Sequence, residues 1–405
     1  MDRAAITALR QSRGYPQFLG AATVARVADE MFAIGVVLLI LERTGSPALA
    51  GVTVAAATLP SVVSGPVIGA WLDRTGRRSL IYKVDRLLLC AVLLCILAAA
   101  GHAPHFVLPL LAFITGLTLP VTFTGFTSMI PLMVEQDLLP HANAVEAASQ
   151  NIALIGGPAL AGLLAAAAGP PAALVGEAGL TLVALVLILR IPDLNRGAAD
   201  QPAPLRAMIV RGLRHIAHEP VLRVVSVATA INNVGWGMLM VVFPLWAADD
   251  LGASSSASGA LWSAFALGSL IGALGLARLQ ARHPQDRVVF TCMFALGVGM
   301  LTWRLAGSLP VALALVGLTA VIEGPVMAAV FSLRQQLTPS DLQAQVMGTL
   351  GSVQIAAFSI GSAIGGPVVV ALGPRTTILV VACAILAAAS TGAAVRAVAT
   401  PAAAR

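Results

Sequence analysis

Residues 309–333 are 25 consecutive positions holding one ionisable side chain, Glu323. Wound as a helix at about 1.5 Å per residue, such a run crosses the ~30 Å hydrocarbon core of a bilayer, where each backbone N–H and C=O must find its partner within the segment. Comparable runs lie at 15–41, 48–72, 79–100, 106–134, 144–168, 172–190, 221–247, 256–279, 288–305, 345–371 and 375–396. With 309–333 they predict twelve membrane-spanning helices, numbered here as spans 1 to 12 in chain order. Only 10% of the 405 residues are charged and 58% are hydrophobic, too little polar surface to cover a soluble enzyme. A membrane β-barrel would alternate over segments of about ten residues, which these unbroken runs do not. The expected fold class is all-α membrane protein. The first run continues past three charged residues to Leu41, longer than the core of a cleavable leader, so it is read as a mature helix.

Basic residues fix an expected orientation. Of 24 Lys and Arg, 20 fall on one side if the N-terminus is cytoplasmic: Arg3, Arg10 and Arg13; 74–86; 190–223; 278–287; Arg334, Arg396 and Arg405. Arg43, Arg304 and Arg375 fall on the other, and Arg26 lies inside span 1. The imbalance predicts both termini inside. It also accounts for the net charge of +6 without a nucleic-acid partner, since the basic residues form no single patch. Arginine in place of lysine at all but Lys83 points to a high-GC bacterial genome. Cys90, Cys95, Cys292 and Cys383 all sit in apolar runs with no metal-ligand or disulfide spacing and read as small buried hydrophobes.

The 191–220 stretch carries Pro192, Pro202, Pro204 and a basic run, dividing the chain into expected domains of 1–190 and 221–405. The run itself suits an amphipathic helix on anionic lipid or a solvated linker. A shift of about 204 residues superposes features of the two halves: Gly65 and Gly69 on Gly268 and Gly272, Asp137-Leu138 on Asp341-Leu342, Gly157 and Gly162 on Gly361 and Gly366. Two six-helix repeats in the same orientation follow.

Between spans 2 and 3 the chain reads Gly65-Pro-Val-Ile-Gly69-Ala-Trp-Leu-Asp73-Arg74-Thr-Gly76-Arg77-Arg78. This resembles the major facilitator signature G-x-x-x-D-R-x-G-R-R, while the second-half loop at 278–287 is eroded. The resemblance implies two parallel six-helix bundles, transport by alternating access through one monomeric chain, no cofactor or metal, and a place in the bacterial plasma membrane. It also implies that Asp73 faces the N-terminus of span 11 as a gate latch. Arg77 would then pair with Glu135 or Asp137 at the end of span 4. A plainer account is that Arg74, Arg77 and Arg78 serve topology alone.

Ionisable residues inside the spans are the second class of candidates, because each costs about 2.5–3.5 kcal/mol to insert at a helix centre. In span 1, Asp29 and Glu30 lie three and four residues beyond Arg26, within reach of one guanidinium. That triad keeps one negative charge, to be neutralised by a proton or by a cationic substrate; it serves equally as a satisfied structural ion pair. Glu323 beside Gly324-Pro325 and Glu177 in span 6 are candidates for a second proton site, although Glu177 is expected rather to reach the interface by snorkelling. In span 7, Asn232, Asn233 and Trp236 stand opposite span 1 in the repeat, with Asn233 aligned on Asp29. Gln354 and the threonines and phenylalanines of span 4 (Thr115, Thr118, Thr122, Phe123, Thr124 and Phe126) are candidate cavity walls, or ordinary helix packing.

Span 5 holds Gly156-Gly157-Pro158-Ala-Leu-Ala-Gly162, similar to the G-P-x-x-G-G core of the antiporter motif of that superfamily, with Ala161 in place of one glycine. The resemblance implies a bend used in export; tight packing needs the same residues. No phosphate-binding lysine loop, metal cluster or nucleophile elbow is present, so an ATP-driven pump or an enzyme is not expected. Taken together, a proton-antiporting exporter of small amphiphilic molecules is expected, with a nutrient symporter and a non-transporting sensor as alternatives.

Overall fold

The computed structural model describes residues 3–12, 14–65, 67–68, 78–191, 214–280, 282–339 and 342–399. Every regular element among them is helical. A short helix, Arg3–Gln11, precedes the first span. Spans 1, 3, 5 and 6 are Tyr15–Thr44, Arg78–Ala99, Leu139–Ala168 and Pro170–Leu189. Span 2 starts at Pro47. Spans 7, 8, 9, 11 and 12 are Pro220–Asp249, Ser258–Gly275, Gln285–Leu301, Gln343–Leu372 and Pro374–Ala399. Nine helices among the described residues are long and apolar enough to cross a membrane. Spans 1 and 3 carry more charge than these, and span 4 is interrupted.

Two interruptions modify the predicted elements. Span 4 is Val107–Pro120, a π turn at Val121–Gly125, then Phe126–Met133. Pro120 has no N–H to give the helix, and the wider π turn follows directly after it. Span 10 likewise divides into Leu309–Ala320 and Glu323–Gln336, just before Gly324-Pro325.

The internal repeat is visible in the backbone. Spans 5 and 11 are each 30 residues long and begin 204 residues apart. Each ends on a glycine of positive φ, Gly169 at 84° and Gly373 at 77°, followed by a proline that opens the next helix. A side chain with Cβ would be strained there, so the Gly-Pro pair turns the chain sharply at the same point of each half.

The chain divides into two units, residues 1–45 with 56–202 and residues 46–55 with 203–405. This corrects the expected uninterrupted first domain: the opening turns of span 2 group with the second unit. There Gly51 lies against the Ser362 carbonyl of span 11, and Gly366 against Pro47 and Ala48. Absent side chains allow helix backbones that close. Of the 191–220 segment, residues 192–213 lie outside the described residues. The part from Arg214 is helical, its His215 Nε2 sits 3.0 Å from the Leu337 carbonyl oxygen, and Ile216 packs beside Leu222 and Val346.

Each unit has its own core. In the first, Tyr82 stacks on Phe126 at 4.7 Å and Phe18 meets Phe126 edge-on at 5.4 Å. Phe243, Trp246 and Trp303 form the corresponding aromatic group of the second. Cys95 and Cys383 are exposed on their helices and not buried as expected; Cys90 and Cys292 are half-buried.

Candidate functional site

The first unit gathers its charges differently from the expected span 1 triad. Arg26, fully buried, makes a two-pronged ion pair with Glu146 of span 5, one arm at 3.1 Å. Its Nη1 also donates to Ser149 at 3.2 Å, and the Thr127 hydroxyl donates to Glu146 at 2.8 Å. The guanidinium lies 5.8 Å from the Phe126 ring centre. Arg26 therefore has its charge satisfied across the helix interface and does not reach back to Asp29 or Glu30.

Asp29 instead belongs to Arg86 of span 3. Arg86 holds both Asp29 oxygens, at 2.8 and 3.2 Å, and through Nε and Nη2 the Asp85 carboxylate at 2.8 and 2.6 Å. Nη2 also donates to the Thr122 hydroxyl, which the π turn of span 4 presents. Arg86 was expected among the cytoplasmic topology charges, yet it is 2% exposed. Its planar fork can serve two carboxylates at once, which a lysine could not match. Glu177 corrects a second expectation: it is fully buried and both its oxygens lack a hydrogen-bond partner, so it does not snorkel. It interacts electrostatically with Asp29 and Arg86.

Glu30 completes the group. With Arg26, Gln150, Asn151, Ala153 and Leu154 it lines a cavity of about 260 Å³ in the first unit. Gly157 makes that wall possible, since a Cβ there would meet the Glu30 Cβ at 2.5 Å and the Val27 carbonyl oxygen at 2.9 Å. Gly156 faces open space, Gly162 is buried, and Pro158 lies within the unbroken helix. Thr115 is spent on its own helix, donating to the Ala112 carbonyl. The side chains of Phe123 and Thr124 lie outside the described residues.

The second unit carries a smaller polar centre. Asn232 donates to Glu323 at 3.2 Å, and Trp236 lies near the same carboxylate. The other Glu323 oxygen and the Asn232 carbonyl have no partner. Asn233, the residue aligned with Asp29, is not part of this centre: its amide donates to the Thr229 carbonyl of its own helix. Gln354 accepts from Arg334 at 3.5 Å. Arg334 is 2% exposed with Nε and Nη2 unpartnered, so it too differs from the expected surface charge.

Of the signature loop, Gly69, Asp73, Arg74, Gly76 and Arg77 lie outside the described residues, as does the Arg78 side chain. A Cβ on Gly65 would meet Pro120 of span 4 at 3.5 Å, while Glu135 and Asp137 are exposed. The residues that sequence reasoning missed are Asp85, Arg86 and Glu146 as buried ion-pair partners. The available signal was their position within apolar runs of an acid-poor chain.

Similarity to known proteins agrees with the geometry. The chain is 31% identical over 365 residues, 88% of each sequence, to an uncharacterized MFS-type transporter, y4rN, of Sinorhizobium fredii. It is 28% identical over 354 residues to the multidrug efflux pump Tap of Mycolicibacterium fortuitum, covering 84% of this chain and 85% of that one. Among solved structures, the nucleoside transporter NupG superposes with a TM-score of 0.77 at 12% identity, covering 94% of this chain and 98% of that chain. The family model described as Major Facilitator Superfamily matches residues 18–234 and 225–404. The chain is therefore a multi-pass membrane transporter belonging to the Major Facilitator Superfamily, and not an enzyme.

Proposed function

We propose that this transporter exports small amphiphilic molecules, cationic ones among them, by proton antiport with alternating access. One observation carries the reading: two guanidiniums, Arg26 and Arg86, face five carboxylates, Asp29, Glu30, Asp85, Glu146 and Glu177. Inside a low-dielectric span, surplus negative charge must be matched by protons or by a cation. Glu146 is committed to Arg26, and Asp29 and Asp85 share Arg86. Among the described residues Glu30 and Glu177 are left without a guanidinium of their own, and Glu30 lies on the cavity wall. A cationic guest in that cavity and a proton on the carboxylates then exclude each other, which is the competition that antiport needs. Gln150, Asn151 and Leu154 offer the guest both polar and apolar contacts. Glu323 with Asn232 and Trp236 is a second protonation site in the other unit.

Export as the direction is supported by the likeness to Tap, named a multidrug efflux pump, and by the Gly157-Pro158 segment of span 5. The arginine asymmetry supports both termini in the cytoplasm of a bacterial plasma membrane. The test is accumulation of a cationic dye in cells expressing wild type or Asp29→Asn/Glu30→Gln at equal membrane levels. The reading predicts exclusion by wild type that a protonophore abolishes and that the variant lacks. Exclusion unaffected by the protonophore, or undiminished in the variant, contradicts it.

A further inference from the structure

Spans 8, 9 and 10 enclose a groove in the second unit that the transport reading leaves unused. Its volume is about 350 Å³; Leu276, Val288, Cys292 and Pro325 give it apolar walls, Gln280 and Thr291 add polar ones, and His283 and Arg287 line it as well. The sequence accounts for this layout. Arg287 lies in the first turn of span 9, Val288 follows it, and Cys292 is one turn deeper on the same face as Val288. Gly324 brings span 10 against the Ser269 and Ala273 backbone of span 8, setting Pro325 as the far wall.

The mouth is basic, with Arg282, His283 and Arg287 exposed. Asp286 is the acid among them. Leu274 and Ile271 of span 8 and Phe294 and Val298 of span 9 are also exposed. A basic rim thus opens beside helices with outward apolar side chains.

We propose that this groove is a binding site for an anionic phospholipid, its phosphate on Arg287 and His283 and one acyl chain along Val288, Cys292 and Pro325. Each part of the site meets a matching part of that lipid. Arginine binds a phosphate through parallel N–H donors. Basic pockets between spanning helices at the membrane surface have this chemistry. A zwitterionic lipid brings its own ammonium and gains less from the rim. The site depends on neither the transport direction nor the coupling ion.

Cys292 reports occupancy. In full-length protein carrying Cys90→Ser, Cys95→Ser and Cys383→Ser, its alkylation by N-ethylmaleimide is timed in nanodiscs of phosphatidylcholine alone or with phosphatidylglycerol. The proposal predicts labelling about fivefold slower with phosphatidylglycerol, an effect lost in Arg287→Gln/His283→Gln. Both rim residues are exposed, so the variant folds. A companion protein retaining Cys383 of span 12 as its sole cysteine is expected to label equally in both bilayers. Equal rates at Cys292 in the two bilayers overturn the proposal. So does slowing that persists without the rim residues, or that appears equally at Cys383. Protection of Cys292 by a cationic amphiphile in phosphatidylcholine alone would make the groove a site of another class, and also overturns it.

Discussion

Arg26 and Arg86 carry like charges into one unit but depend on their partners to different degrees. Glu146 is the carboxylate that Arg26 holds, whereas Arg86 divides itself between Asp29 and Asp85. Breaking a buried pair leaves an uncompensated charge and costs about 3–5 kcal/mol. Glu146→Gln is therefore expected to lower the thermal stability of the purified protein markedly. Asp85→Asn, which leaves Arg86 with Asp29, is expected to lower it less. Equal losses in a thermal unfolding assay would show that Arg86 cannot use its second partner as argued. Glu177→Gln tests a different property, since it keeps the side-chain shape while removing the site of protonation. Folding is expected to survive and proton-driven dye export to fall; unchanged export would make Glu177 a purely structural group. The spacing of Arg26, Asp29 and Glu30 was legible in the sequence, but their partners were not. Spacing reports neighbours along one helix, while spans 3 and 5 supply competing partners from elsewhere in the chain.

Hydropathy located the elements well because lipid allows little besides regular helix. Ends were less legible: span 5 was expected from residue 144 and begins at Leu139, since Pro140, His141 and Asn143 interrupt the apolar pattern there. The π turn of span 4 was missed because apolar composition does not report the register of backbone hydrogen bonds. That turn has a consequence for the site, as it presents Thr122 to Arg86. Span 5 meets span 1 through Gly157, where a Cβ would strike both the Glu30 side chain and the Val27 backbone. Gly157→Leu is expected to reduce export at least tenfold, because Glu30 and the cavity wall must move. Gly156→Ala, facing open space, is expected to transport normally. Matched dye-efflux rates for the two variants would remove the packing argument.

Across the whole molecule, the repeat and the charge distribution tell different stories. The halves share helix lengths and the Gly-Pro turns after spans 5 and 11, a likeness readable in the sequence from the 204-residue shift. The ionisable groups do not follow it: the first unit holds a network of ion pairs, and the second holds Glu323 with Asn232 and Trp236. Duplication fixes the backbone, and divergence at a few buried positions sets what each half contributes. The central claim is that the first unit exchanges protons for a cationic guest. Its most direct test is proton release on adding a cationic dye to the purified transporter in weakly buffered solution, followed with a pH indicator. Wild type is predicted to release protons as the dye binds, and Asp29→Asn/Glu30→Gln to release fewer. Dye binding by wild type without any proton release would contradict the account.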